Sequence, residues 1–354
     1  MPPIDVDYDM GQIGHHLPSR GVMQTDGQRI ADAAIAVGVH PTWSPSPHRT
    51  SNAFDARWRE ELLLAVLDWS SGTIQKHAMY DEELDKTEKG FASYHIGMTF
   101  ALLWAREVLA VQDLAHVDRI LENAGIHSNE RRPDLLGADS TGVLYAIEAK
   151  GRSRGIGDAI KRGKRQITES RYWFSLNGVS AIGVVTATHF ENDTLSLYAE
   201  DPESWARQYS VSTDLLRTIA LEPYAEAISR EGPDAELELP TGHRGAEIGD
   251  TGVLVALAPR VSEVLRLAGT RQPPQRQRSL VSKKALLAEL AEAQEETLLP
   301  IELPGRQRYL QVADVIDLEL RDEQTLEFGS YRGRESPSGV AVLVDSRWGA
   351  LDLD

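Results

Sequence analysis

Residues 133–150, PDLLGADSTGVLYAIEAK, constrain the chain more than any other stretch, because they alternate like strands and end on charge. PDLLGAD and GVLYAIEAKG read as two strands joined by Ser140, Thr141 and Gly142. Side chains two apart in a strand share a face and lie about 6.6 Å apart. Leu144, Ala146, Glu148 and Lys150 therefore share one face, and Val143, Tyr145, Ile147 and Ala149 the other. A Glu and a Lys closing an otherwise apolar strand need a reason, since a buried charge is costly unless paired or bound to a metal.

Ser-Thr-Gly suits a three-residue loop, a type I turn followed by Gly142 in the left-handed conformation. If Asp139 then pairs with Val143, Asp134 falls opposite Glu148, with Cβ atoms about 5 Å apart. A two-residue loop would set Asp134 against Ile147 instead. Like charges that close repel unless a cation lies between them. Two carboxylates beside a lysine suit Mg²⁺, a hard cation that takes oxygen ligands and keeps several waters; Mn²⁺ is the alternative. Such an ion activates water and stabilises charge developing on a phosphate oxygen. Lys150 is placed to position or activate the attacking water, or to neutralise the phosphate in the transition state.

The flanks read less sharply. Residues 1–54 are rich in Pro, Gly, His and Asp and read as an extended or partly ordered arm. Helical spacing predicts helices over 56–73, 90–109 (with Tyr94, Met98, Leu102 and Trp104 or Ala105 inward) and 111–123. After the two strands a helix is expected from Gly157 through Phe174, then strands over 179–188 and 194–200. Further helices are expected at 212–229, 251–268 and 281–296, a linker at Arg271–Arg278, and a small β-rich unit from Tyr309 to Asp354. This divides the chain into 1–90, a core at 91–202, a helical region at 203–270, and 281–354. The core is an α/β (α+β) unit, a mixed sheet flanked by helices.

The chain has 354 residues, no cysteine and a formal net charge of −17. Without cysteine, disulfides and thiol catalysis are excluded. No run of about eighteen apolar residues occurs, so no membrane span is expected. The N-terminus lacks the pattern of a secretion signal, and the cytoplasm is the expected home. An acidic total does not preclude a basic cleft. From Lys150 to Arg171 stand eight basic residues, Lys150, Arg152, Arg154, Lys161, Arg162, Lys164, Arg165 and Arg171, against Asp158 and Glu169. A solvated helix face would explain such a run as well as a phosphate-binding one.

Pro133-Asp134, thirteen intervening residues and Glu148-Ala149-Lys150 resemble the PD-(D/E)XK motif of the restriction-endonuclease-like nucleases. The resemblance covers about residues 91–202 and implies an αβββαβ core, which the order of predicted elements matches except for one strand. It makes Asp134 and Glu148 metal ligands, the Ala149 carbonyl a further ligand, and Lys150 the catalytic lysine. Gln166 lies where some members carry a glutamine, although Tyr172 is too far on for the Gln-x-x-x-Tyr spacing of one branch. Glu107 and Glu122 are both candidates for the acidic residue on the preceding helix.

The implied function is Mg²⁺-dependent hydrolysis of DNA, with RNA left open and restriction or defence against foreign DNA as the commonest setting. Arg152, Arg154, Lys161, Lys164 and Arg165 would hold the strand, and a homodimer is a compatible assembly. Two other readings stand beside it. One is a nuclease-fold protein that binds nucleic acid or assembles without cutting. The other is an acidic scaffold in which Asp134 lies far from Glu148. Gly151, Gly155 and Gly157 lack the Gly-Lys-Ser/Thr ending of a phosphate loop and read as a flexible turn.

Overall fold

An aspartate fixes the start of the longest helix. In the computed structural model, α4 is Lys86–Val108, counted after α1 (Gly27–Ala36), α2 (Phe54–Val66) and α3 (Ala78–Glu82). The Asp85 side chain accepts from Thr87 N and Glu88 N, and Glu88 returns a bond to Asp85 N. Such a capping box contributes about 1 kcal/mol. Met98, Leu102, Trp104 and Ala105 are buried as expected, but Tyr94 is 41% exposed. The structure describes residues 4–10, 20–37, 54–123, 132–139, 141, 143–153, 155–176, 181–200, 235–249, 251–262, 324–336 and 339–348. It also describes Leu216, Ala220, Leu221, Pro223 to Ala225, Ala227, Ile228 and Glu231.

The first sheet runs in the order β2-β1-β9-β8-β7-β6-β5. Its strands are β1 (Ile4–Met10), β2 (Arg20–Thr25), β5 (Val111–His116), β6 (Leu135–Asp139), β7 (Leu144–Gly151), β8 (Ile182–Glu191) and β9 (Thr194–Glu200). Two short strands, β3 (Leu67–Asp68) and β4 (Gln75–Lys76), attach at β9. The chain passes from α4 through β5, the short helix α5 (Val117–Asn123), β6 and β7 to α6 (Gly157–Leu176) and β8. Strands β5, β6 and β7 are antiparallel neighbours, and β8 returns parallel to β7. This is a mixed α+β architecture.

The two faces of β7 and β8 are covered by different helices. Ile147, Ala149 and Val184 join the cluster that contains the buried residues of α4. Val185 and Ala187 meet Ile160 and Ile167 of α6. Alternation along the two strands requires this two-sided burial.

Several expectations are corrected. Residues 1–54 are not simply an arm, because Ile4, Val6 and Tyr8 alternate with Asp5 and Asp7 and bury one face of β1. The expected helix 111–123 is a strand followed by a helix of seven residues. Residues 253–257, expected to be helical, form a fully buried strand.

That strand, β12 (Val253–Leu257), belongs to a second sheet of order β10-β11-β12-β15-β14-β13. The others are β10 (Leu237–Glu238), β11 (Arg244–Glu247), β13 (Gln324–Phe328), β14 (Tyr331–Glu335) and β15 (Val340–Val344). The β-rich unit expected near the C-terminus thus shares its sheet with 237–257. The described residues between 216 and 228 are helical, as expected. The linker Arg271–Arg278 and the helix 281–296 lie outside the described residues. Among the described residues, no helix is long and apolar enough to cross a membrane.

Helix α1 joins the two sheets through one core, in which Ile30 and Ala34 lie with Val342, Val344 and Trp348. At this junction Glu60 of α2 is fully buried and neither carboxylate oxygen has a hydrogen-bond partner. The Thr251 hydroxyl spends its proton on the Ile248 carbonyl, 2.6 Å away. Burial pushes Glu60 up to about 8, with Glu61 and Glu231 adding to the effect and Arg59 opposing it. A carboxyl raised on folding lends stability that is fully present at low pH and lost as pH rises through the folded value. Glu60→Gln should therefore leave the melting temperature nearly unchanged at pH 5 and raise it at pH 9, by about 2–4 °C per kcal/mol recovered. Equal shifts at the two pH values would show that folding does not raise the Glu60 carboxyl.

Candidate active site

The hairpin has the register that its loop chemistry predicts. Leu135 pairs with Ile147, Leu136 with Ala146, Gly137 with Tyr145 and Ala138 with Leu144. Asp139 N donates to Val143 O at 3.0 Å, closing the loop. The Asp139 carboxylate accepts from Thr141 N, Thr141 Oγ1 and Val143 N, which holds the turn at three residues. Gly142, expected in the left-handed conformation, lies outside the described residues. Continued by one step, this register sets Asp134 against Glu148.

Asp134 sits where the ladder begins. Its N–H donates to Ile147 O at 3.0 Å, and its Oδ2 accepts from Ala149 N at 2.9 Å. The carboxylate is thus clamped to the backbone between Glu148 and Lys150. Burial pushes Asp134 up to about 6, opposed by Lys150 and the Ala149 bond, with Asp118 adding to the rise.

Glu148 is 0% exposed. Burial raises its carboxyl to about 9; Asp134 adds to the shift and Lys150 opposes it. One oxygen, Oε1, is bonded by the Lys150 ammonium, while Oε2 is buried with no hydrogen-bond partner. A buried, unsatisfied carboxylate oxygen with a second carboxylate acting on it is the arrangement a divalent cation would satisfy. The residues present therefore fit a metal held by Asp134 and Glu148. Among the described residues, however, no group of three or more His, Asp or Glu side chains is arranged to hold a metal.

Glycines let the helices approach this strand end. A Cβ on Gly151 would lie 1.5 Å from Ser93 O, and one on Gly97 would lie 2.5 Å from Gly151 N. Helix α4 therefore rests directly on the β7 backbone beside Lys150. From the opposite face, a Cβ on Gly163 of α6 would lie 3.5 Å from Glu148 Cγ. The Thr186 hydroxyl of β8 reaches Glu148 O at 3.4 Å.

The other predicted residues divide. Gln166 donates to Arg132 O at 2.8 Å, fixing the segment that leads into Pro133-Asp134. Arg152 is half-buried and donates to Gly151 O at 3.0 Å. Lys161, Arg162 and Arg165 are exposed on α6. Lys164, expected to hold a strand, is instead ion-paired with Glu200 of β9, which also accepts from Tyr198 Oη at 3.1 Å. Arg154 lies outside the described residues, as does the side chain of Glu122. Glu107 pairs with Arg29 Nη1 at 2.7 Å, near the C-terminal end of α4, whereas Gly151 meets that helix at Ser93 and Gly97.

The structure adds Asp118, which the sequence reading did not single out. It is ion-paired with Arg132 and contributes to the rise of Asp134. Its N–H donates to His116 Nδ1 at 3.2 Å. Burial holds His116 down at about 4 although Asp118 opposes this, so the imidazole is neutral and accepts that bond at neutral pH. The signal for this group was hidden in β5, whose alternation is broken by a register shift between Val111 and Asp113. No protein-family model matches the chain, and no curated protein or solved structure matches it significantly.

Proposed function

We propose that the chain is a divalent-metal-dependent endonuclease that hydrolyses phosphodiester bonds in DNA, built on a restriction-endonuclease-like core. The observation that carries this reading is a hairpin register that, extended one step, sets Asp134 against Glu148, with Glu148 bonded by Lys150 and holding one orphaned oxygen. The order α4, β5, β6, β7, α6, β8, with three antiparallel strands and a parallel fourth, supports it at the level of the fold.

Asp134 and Glu148 would hold Mg²⁺ or Mn²⁺, which supplies an activated water and charge neutralisation at the phosphate. The Ala149 backbone fixes Asp134 through its N–H. Lys150, with 19% of its side chain exposed, is the cationic group bonded to Glu148. It orients the attacking water or neutralises the charge gathering on the phosphate oxygens. Gln166 is a positioning residue, acting through the Arg132 carbonyl. Lys161 and Arg165, exposed on α6, are available to the DNA backbone. The resemblance alone points to restriction or defence as the setting.

The test is incubation with plasmid, linear duplex and RNA, each with Mg²⁺, Mn²⁺ or chelator. Metal-dependent nicking or cutting of DNA is the expected result. The alternative is a nuclease fold that binds nucleic acid without cutting. Salt-sensitive binding with no cleavage in either metal would select it.

A further inference from the structure

Near its N-terminal end, α4 presents two unlike faces. Ser93 and Gly97 lie against the end of β7. Around the helix from them, Phe91, Tyr94 and His95 gather with Trp58 of α2 into a cluster of rings. Trp58 and Phe91 have centroids 4.4 Å apart, Trp58 and His95 4.7 Å, Phe91 and His95 4.8 Å, and Tyr94 and His95 4.9 Å. Trp58 and His95 are half-buried, but Phe91 is 50% exposed and Tyr94 41%.

Two large rings left this open side by side, and packed with two more, mark a surface with an occupant. The rings carry no charge: burial, helped by Arg59, holds His95 down at about 3. The Tyr94 hydroxyl is pushed up to about 12 by burial, and Asp134, Asp118 and Glu148 add to that shift. The patch adjoins the carboxylate site through the backbone, because Ser93 and Gly97 of the same helix bear on Gly151, the residue after Lys150.

An uncharged aromatic surface beside a phosphodiester-cleaving centre fits the flat faces of nucleobases. A continuous duplex keeps those faces stacked on one another, so only unpaired bases can reach the rings. We propose that Phe91 and Tyr94 form a stacking shelf for unpaired bases next to the scissile phosphate, making DNA with a single-stranded segment the preferred substrate. This rests on the nuclease reading for its link to cleavage, but base stacking is measurable without it.

The experiment uses the full chain in chelator, with 2-aminopurine placed in a single-stranded oligodeoxynucleotide and in the blunt duplex of the same sequence. Saturable quenching is expected with the single strand at a lower protein concentration than with the duplex. Phe91→Ala and Tyr94→Ala should each weaken single-strand binding by about fivefold or more, since stacking on one ring contributes about 1–3 kcal/mol. Tyr94→Phe and Phe91→Trp keep a ring and should bind like the parent, which separates stacking from a folding defect. Equal affinity for single strand and duplex, or alanine variants that bind like the parent, would overturn the shelf. Quenching that is lost in the alanine variants while the parent never cleaves in Mg²⁺ would leave the shelf standing and remove the nuclease. Cleavage by both alanine variants at the parent's rate on single strand and duplex alike would do the reverse.

Discussion

Lys150→Ala and Asp134→Asn are expected to abolish metal-dependent cleavage while leaving the protein folded. The Lys150 ammonium is the cation bonded to Glu148, and its side chain reaches solvent from a strand end that is otherwise closed. Removing one preorganised charge or proton carrier from such a centre costs about 10²–10⁴ in rate. Asn at 134 keeps an oxygen to accept from Ala149 N, so the clamp on the strand end survives while the charge is lost. The loss should therefore appear in single-turnover cleavage at saturating DNA, with circular dichroism and melting close to the parent. Lys164→Ala is the contrast. Its ammonium is committed to Glu200 on β9, so the variant should cleave within a few-fold of the parent. Retained Mg²⁺-dependent cutting in both Lys150→Ala and Asp134→Asn would sink the assignment.

That contrast shows what the sequence could and could not reveal. The hairpin was legible because its constraints are local. Asp139 can bond Thr141 and Val143 only across a short loop, and the loop length fixes which residues oppose. Lys164 was not legible, because its partner lies 36 residues on, across a sheet whose order the sequence does not state.

The misread β5 has a local cause of a different kind. The turn from α4 into β5 is made at Ala110, with φ 55°, where neither glycine, proline nor asparagine announces a break. The register shift that follows then removes the period-two signal. Asp118 went unnoticed with it. The N-terminal strand had a visible pattern, Ile4, Val6 and Tyr8 alternating with aspartates, but its parallel partner is β9, nearly two hundred residues away. A parallel pairing of that kind is set by the tertiary structure and leaves no mark on either segment alone.

Glu148→Gln should make the metal-free protein more stable at alkaline pH while removing its response to Mg²⁺. Burial, with Asp134 beside it, raises Glu148 from the usual 4.5 to about 9 in the folded state. The sign follows from linkage: the protonated form fits the fold, so its stabilisation is fully present below about 4.5 and is lost as pH rises through about 9. Asp134, raised to about 6, tilts the lower part of the same range in the same direction. Without metal, the parent should lose stability steadily from pH 5 to pH 9. Glutamine fills the same space and has no proton to hold. The variant should therefore show a shallower slope and, at pH 9, a stability gain on the order of 1–3 kcal/mol, since a buried carboxylate with one unsatisfied oxygen is what it removes. A divalent cation bound by both carboxylates acts oppositely, because it favours their ionised forms. Mg²⁺ at about a hundred times its dissociation constant should stabilise the parent by about 2.7 kcal/mol and the variant little or not at all. Thermal melts of both proteins at pH 5, 7 and 9, with chelator and with Mg²⁺, read all of these effects together. Identical pH slopes in chelator would show that Glu148 is not the group held protonated by the fold. Equal stabilisation of parent and variant by Mg²⁺ would place the ion away from Glu148 and remove the basis for its role in cleavage.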